Sequence, residues 1–284
     1  MNLIKNSIKL INILVNKKIY SANYLAKILE INLKELLKCM HILSLWGIDF
    51  NINNNKYYQI NKNIELLNYQ KLCEITKTSN IFLIPIIHST NQYMLESLET
   101  LNIGDVCIAE HQTNGRGKCG SYWASPFGCN LYLSIYWYFS EILKKDLELL
   151  SLVISIIIAE TLNKLTDNNI KIKWPNDLYL HGKKLAGILI EIKSNFKDKM
   201  HIIIGIGINI DMSDKQALKI HQKWINLEPC NNNIGRNEIA GKIILALRNE
   251  LPIFSKYGFY PFMQRLLKLN QLLYNNIINK NKPQ

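Results

Sequence analysis

At 284 residues, with 48% hydrophobic and 20% charged positions, the chain has enough apolar material for a sizeable core and reads as about two domains. That balance excludes a disordered chain, a collagen-like repeat and a bare coiled coil. The formal net charge of +12 admits a nucleic-acid partner. However, lysine greatly outnumbers arginine and Ile and Asn abound, so a chain-wide compositional bias competes as the explanation.

Lys5, Lys9, Lys17 and Lys18 interrupt any signal-peptide core at the N-terminus. The longest apolar stretch, around residues 154–159, is broken by polar residues well before the ~18 needed to cross a bilayer. A cytoplasmic protein without a membrane segment is the expectation. The six cysteines (Cys39, Cys73, Cys107, Cys119, Cys129 and Cys230) form no Cys-x-x-Cys pair, which points to reduced thiols and not to a zinc site or a disulfide framework.

Apolar spacing at Ile4, Ile8, Ile11 and Leu14 predicts a helix over residues 3–15. Ser21 is placed to cap a second helix, 22–30, with Leu25 and Leu29 inward. Asn32 caps a third, 33–45, with Leu36, Leu37, Met40, Leu43 and Leu45 as its apolar set. Trp46-Gly47 ends it, and residues 48–60 alternate as strand, Asn-rich turn and strand. This is a winged helix-turn-helix outline with the third helix as groove reader; a structural or dimerisation domain fits the same outline. Leu66, Leu67, Leu72 and Ile75 predict a linking helix within 63–80.

From residue 81 the texture changes to short apolar runs. Strands are expected at 81–87, 106–109, 130–138, 170–173, 178–180, 185–192 and 201–210. Helices are expected at 90–98, 147–165, 236–251 and 259–273, the long one apolar on most faces and therefore buried against a sheet. The pattern is α+β with a mixed sheet. It divides into residues 1–62 (winged helix-turn-helix), 63–80 (linker helix), 81–273 (catalytic domain) and 274–284 (polar tail).

Four strings carry chemistry. Gly115-Arg116-Gly117-Lys118-Cys119-Gly120 combines three glycines with two cations, suited to an anion but also to a basic surface loop. Lys173-Trp174-Pro175-Asn176-Asp177 enters a strand and is either a structural turn or a set of polar groups facing a ligand. His181-Gly182 makes a tight hairpin that brings Asp177 and Lys184 towards one site. There a partly buried lysine requires an anionic partner. Gly205 and Gly207 alternate within a strand and open one face, to a ligand or to close packing.

Over residues 81 to about 269 the chain resembles the catalytic domain of biotin–protein ligases. The resemblance is carried, in order, by Ser89-Thr90-Asn91-Gln92, Gly115-Arg116-Gly117-Lys118, Trp123 with Ser125-Pro126-Phe127-Gly128, Asn130-Leu131-Tyr132, Lys173-Trp174-Pro175-Asn176-Asp177, Lys184-Leu185-Ala186-Gly187-Ile188-Leu189 and Gly205-Ile206-Gly207-Ile208-Asn209. It implies a class II synthetase-like mixed-sheet domain of the biotin/lipoate ligase type behind an N-terminal winged helix-turn-helix. It further implies formation of biotinyl-5′-AMP from biotin and ATP, with Mg2+ on the ATP phosphates and no protein metal ligands. Biotin then passes to a lysine of the biotin carboxyl carrier protein of acetyl-CoA carboxylase.

By the resemblance Lys184, Arg116 and Asp177 are catalytic. Ser89, Thr90, Asn91, Gln112, Arg116, Gly117, Lys118, Lys184, Gly187 and Gly207 surround biotin. Gly115, Arg116, Lys118, Trp123, Asn176, Lys184, Asn209 and Trp224 surround ATP or the adenylate. Bifunctional members also repress biotin-synthesis genes, which implies operator DNA as a partner, met here by Asn32, Lys34, Lys38 and Lys56, and a homodimer formed by sheet-edge pairing on adenylate binding.

Three departures stand out. The C-terminal SH3-like β-barrel of such members has no counterpart before Gln284. Lys118-Cys119 replaces an Arg-Arg pair. The wing reads Asn53-Asn54-Asn55-Lys56-Tyr57-Tyr58, and Glu35 enters the groove-reading helix. A biotin-sensing regulator without ligase activity and a lipoate–protein ligase are the alternatives.

Overall fold

The computed structural model describes residues 2–53, 56–139, 144–166, 168–174, 176–196, 199–227 and 234–269. Asn54-Asn55 of the expected wing turn, Pro175, Cys230, the end of the helix expected at 259–273 and the tail 274–284 lie outside the described residues.

The N-terminal unit contains α1 (Asn2–Leu14), β1 (Tyr20–Ser21), α2 (Ala22–Leu29), α3 (Leu33–Leu45), β2 (Phe50–Asn53) and β3 (Tyr57–Ile60). Its caps form as expected: Ser21 Oγ accepts the Tyr24 N–H and Asn32 Oδ1 accepts the Glu35 N–H. Leu10, Ile11, Leu14, Leu25, Leu36 and Leu43 are fully buried. Two members of the apolar set face outward. Leu37 and Leu45 are 57% and 70% exposed, because the 3.6-residue period turns Leu36, Cys39, Met40 and Leu43 inward and leaves them on the outer face. β1 completes a three-stranded sheet in the order β1-β3-β2.

The linker helix expected over 63–80 is helical only as α4 (Tyr69–Thr76). Residues 64–68 are not helical because the start of α7 (Arg236–Tyr257) consumes their polar groups. Arg236 Nη1 donates to the Glu65 carbonyl, Asn237 Nδ2 donates to that of Leu66, and the Asn68 N–H donates to Asn237 Oδ1. Leu67 and Leu72 join the main core, so this segment is part of the larger unit and not a free tether.

The larger unit proceeds through β4 (Ile81–Ile87), α5 (Thr90–Glu96), β5 (Val106–Gln112), β6 (Leu131–Phe139), α6 (Lys144–Thr166), β7 (Lys171–Lys173), β8 (Asp177–Leu180), β9 (Lys183–Phe196), β10 (Lys199–Ile208), α7 and α8 (Tyr260–Leu269). Its sheet order is β4-β5-β6-β10-β9-β8-β7, with β4 and β5 parallel and the other pairs antiparallel. Strand alternation gives the sheet two different faces. Leu131, Leu133 and Ile135 of β6 and Ile202, Ile204, Ile206 and Ile208 of β10 enter the core with α6 and α7. Ser134, Gly205 and Gly207 turn the other way. The window 149–166 of α6 has mean hydropathy 1.6 over 18 residues, longer than the sequence pattern suggested. Two-thirds of it is buried (67%), as befits the helix that covers the sheet.

The two units are joined through the end of α3. The Trp46 ring stacks on Phe127 at 5.6 Å, the Phe127 N–H donates to the Trp46 carbonyl, and Gln216 Nε2 donates to the Gly47 carbonyl at 2.7 Å. Gly47 has φ +90°, a conformation that favours glycine at this turn. His111 lies beside Trp46 with Nδ1 2.6 Å from the Ser125 carbonyl. Burial pushes its pKa below the ordinary imidazole value, against the opposing pull of that carbonyl. The unfolded chain therefore binds the His111 proton more tightly than the folded one. This contribution is present above about pH 6.5 and is lost as the pH falls towards the depressed folded value. Thermal melts from pH 7 to 5 should show a steeper loss of Tm in the wild type than in His111→Gln; equal slopes would remove the role.

Candidate active site

The face of the sheet opposite α6 carries a trough because Gly187 and Gly207 are direct cross-strand partners on β9 and β10. The Trp123 indole lies in that trough: a Cβ at Gly207 would collide with it, and one at Gly187 would come within 3.0 Å of its ring. Gly205 makes the same allowance for the Asn91 side chain. The alternate glycines thus open the strand to two side chains of the protein itself, and the indole and Asn91 become the floor of a cavity.

The glycine loop is closed upon itself. The Gly117 N–H donates to the Ser121 carbonyl, that of Ser121 to Lys118 and that of Trp123 to Gly115. The Gly117 N–H is therefore consumed within the loop. Gly115 is buried against Trp123 and Ser125, where a Cβ would meet the Trp123 carbonyl and Ser125 Oγ at 2.5 Å, and it lines neither cavity described below. Lys118 is exposed on the rim.

Lys184 sits where β9 begins, after the His181-Gly182 turn with φ +49° and +71°. Its Nζ is 3.0 Å from Asp177 Oδ1, with the two side chains 16% and 24% exposed. Its backbone is pinned by segment 223–225: its N–H donates to the Lys223 carbonyl and its own carbonyl accepts the Ile225 N–H, both at 3.0 Å. Asn176 lines the cavity, but its side chain is committed: Nδ2 donates to the Ile188 carbonyl at 2.7 Å, locking β8 to β9. Asn209 Nδ2 likewise reaches the Lys184 carbonyl at 3.4 Å.

A chain of hydrogen bonds crosses the far end. Gln112 Oε1 accepts from the Thr90 N–H and hydroxyl. Ser134 Oγ donates to Thr90 Oγ1 or Asn91 Oδ1, both within reach. Asn91 Nδ2 donates to Glu191 Oε2 at 2.7 Å, and Arg116 Nη2 contacts both Glu191 oxygens at 2.8 and 3.0 Å. Ser89 caps α5 through its hydroxyl. Ser134 and Glu191 were missed by sequence reasoning. The available signal was their position on the glycine-bearing face, Ser134 opposite Gly205 and Glu191 four residues past Gly187.

Two cavities result. A narrower one of about 200 Å3 is lined by Ser89, Thr90, Asn91, Gln112, Arg116, Gly117, Lys118, Trp123, Asn176, Asp177, Lys184, Gly187 and Gly207, among others. A wider one of about 490 Å3 is lined by Ala124, Asn209, Lys219, Ile220, His221 and Trp224. Ser121, Tyr122, Trp123, Lys184 and Gln222 line both, so the lysine stands at their junction. Arg116 Nε and Trp123 Nε1 are two of the four side-chain donors buried without a hydrogen-bond partner among the described residues, the others being Arg236 Nε and Arg248 Nη1.

Asn32, Lys34, Lys38 and Lys56 lie far along the chain from this centre, on the N-terminal unit. All four are exposed, but the Asn32 side-chain oxygen is spent on capping α3.

Residues 83–209 match the model of the biotin/lipoate A/B protein ligase family. The chain is 38% identical over 266 residues to the bifunctional ligase/repressor BirA of Escherichia coli, covering 94% of this chain and 83% of that protein. It is 30% identical over 186 residues to biotin–protein ligase 2 of Arabidopsis thaliana, covering 62% of this chain and 54% of the plant protein. Among solved structures, the biotin protein ligase of Aquifex aeolicus in complex with biotin and ATP aligns with TM-score 0.56 and 28% identity over 68% of this chain and 79% of that one. The mixed sheet, the glycine trough and the lysine at the junction of two cavities are thus those of a chain that belongs to the biotin/lipoate A/B protein ligase family.

Proposed function

We propose that this protein is an ATP-dependent biotin–protein ligase whose narrower cavity takes biotin and whose wider one takes the adenosine of ATP. The observation that carries this reading is Lys184, lining both cavities with its ammonium group beside Asp177. A carboxylate in one and an α-phosphate in the other repel each other, and a cation at the junction offsets that repulsion where charge develops. A biotin carboxylate oxygen bonds to the α-phosphorus while the bond from that phosphorus to pyrophosphate breaks, giving biotinyl-5′-AMP. Mg2+ carried by the ATP phosphates would neutralise part of their charge.

In the second half-reaction the amine of an acceptor lysine attacks the mixed anhydride. The C–N bond forms, AMP leaves, and the amine loses a proton. Asp177, at the cavity edge, is the base that positions or accepts it. Arg116 and Lys118, which line the narrower cavity beside Lys184, meet the phosphate where it joins the biotin carboxylate at the junction, and Trp224 borders the adenine. The acceptor is the biotin carboxyl carrier protein of acetyl-CoA carboxylase, and the reaction runs in the cytoplasm. Incubation with ATP, biotin or lipoate, and a carrier domain, read as a mass shift of the carrier, tests the proposal. Biotinylation supports it, a lipoyl shift makes the protein a lipoate ligase, and adenylate without transfer leaves a sensor.

Lysine at position 118 keeps the charge of an arginine but loses its bidentate fork. Lys118→Arg should therefore lengthen the dissociation half-time of biotinyl-AMP in a chase experiment; an unchanged half-time removes that role.

A second, regulatory function is supported by the three helices and β-wing of the N-terminal unit, with Lys34, Lys38 and Lys56 exposed, and by the ligase/repressor relative. The adenylate-loaded protein, paired by sheet edges as a homodimer, binds biotin-operator DNA. An anisotropy titration at moderate salt, with and without adenylate, tests it; affinity no higher than for unrelated DNA rejects it.

A further inference from the structure

We infer that Glu191 is a positioning residue that sets the guanidinium of Arg116 for adenylate formation, an inference that rests on the ligase reading above. Arg116 is carried by a loop whose described backbone hydrogen bonds are largely its own. Glu191 is carried by β9, near the middle of the sheet. The two side chains, 30% and 26% exposed, meet at 2.8 Å, so the strand supplies the fixed point and the loop is held to it. Glu191 is itself steadied: Asn91 donates to its Oε2 at 2.7 Å, and Asn91 is fixed by Ser134 and by the space that Gly205 leaves.

The way Arg116 is held shows what the contact does. Nη2 alone serves both Glu191 oxygens, while Nε is buried without a partner among the described residues. A bidentate fork would spend two nitrogens on Glu191; this geometry spends one, Nη2. The carboxylate also offsets the second cation of a site that already holds Lys184, as Asp177 does for the first. The two ion pairs thus keep Arg116 and Lys184 lining one cavity before an anionic substrate arrives.

Glu191→Gln removes the charge at nearly constant shape. We expect the kcat of pyrophosphate release with biotin and ATP to fall on the order of 10²-fold, the scale set by a misplacement of about 1 Å. The biotin KM and the Tm should stay close to wild type. In an Arg116→Ala background the same change should add little, since two residues acting through one contact are not additive. A readout without turnover accompanies this: on protein without substrates, phenylglyoxal should modify Arg116 faster in Glu191→Gln than in wild type, by peptide mass spectrometry. An unchanged kcat, an equal loss in the Arg116→Ala background, or an unchanged Arg116 modification rate would each overturn the inference. Wild-type protein that releases no pyrophosphate with biotin while Arg116 modification still responds to Glu191→Gln would instead sink the ligase reading and leave the Glu191–Arg116 contact standing.

Discussion

Lys184→Ala is expected to slow pyrophosphate release from ATP and biotin by about two orders of magnitude or more, comparable with removing a principal electrostatic stabiliser from an acyl-transfer site, with the fold retained. The fold survives because the position is held by backbone, through the Lys223 carbonyl and the Ile225 N–H, and the alanine keeps both bonds. The side chain is 16% exposed at a cavity edge, so truncation opens onto solvent instead of leaving a sealed void. What disappears is the one ammonium group among the described residues that lines both cavities, and Asp177 is left without its partner at the place where two more anions must meet. Lys184→Arg restores charge but with a planar fork longer than the ammonium, and should recover only part of the rate. Near-normal pyrophosphate release by the alanine variant, with a wild-type melt, would refute the assignment.

Much of this site was readable before any coordinates because its determinants are local. Period-two alternation is enough to place Gly205 and Gly207 on one face, and a two-residue turn is enough to bring Asp177 back towards Lys184. The caps at Ser21 and Asn32 follow from residue type and position alone. What was not readable depends on contacts between distant segments. Nothing near Gly207 says that the indole filling its trough is that of Trp123. Nothing near Arg116 says that its partner is 75 residues away on β9. The linker helix starts later than its apolar spacing suggests for the same reason: Leu66 and Leu67 share that spacing with Leu72, but the start of α7 takes the backbone and side-chain groups of residues 65–68. Leu37 and Leu45 show the limit of reading apolar residues without their angular positions.

The largest effect on stability is expected at Arg236→Ala, a loss of about 3–5 kcal/mol, or roughly 10 °C in Tm for a chain of this size. Arg236 and Glu110 are each 5% exposed and meet at 2.9 Å. The guanidinium also donates to the carbonyls of Glu65 at 2.7 Å and Asn130 at 2.9 Å. Glu110 Oε1 accepts the Leu67 N–H. One buried pair therefore ties together the segment leading from the N-terminal unit, the end of β5 beside Gln112, the start of β6 and the N-terminus of α7. Truncating the arginine strands a buried carboxylate and removes a donor from two carbonyls, and the carboxylate accounts for most of the cost. A double variant separates these causes. If the unpaired charge dominates, Arg236→Met with Glu110→Gln should be clearly more stable than Arg236→Met alone, because the neutral amide needs no counter-ion. If the lost carbonyl contacts dominate, the double variant should be no better than the single one. A loss below about 1 kcal/mol for Arg236→Ala, within the range of an exposed pair, would mean that this pair does not hold the four segments together.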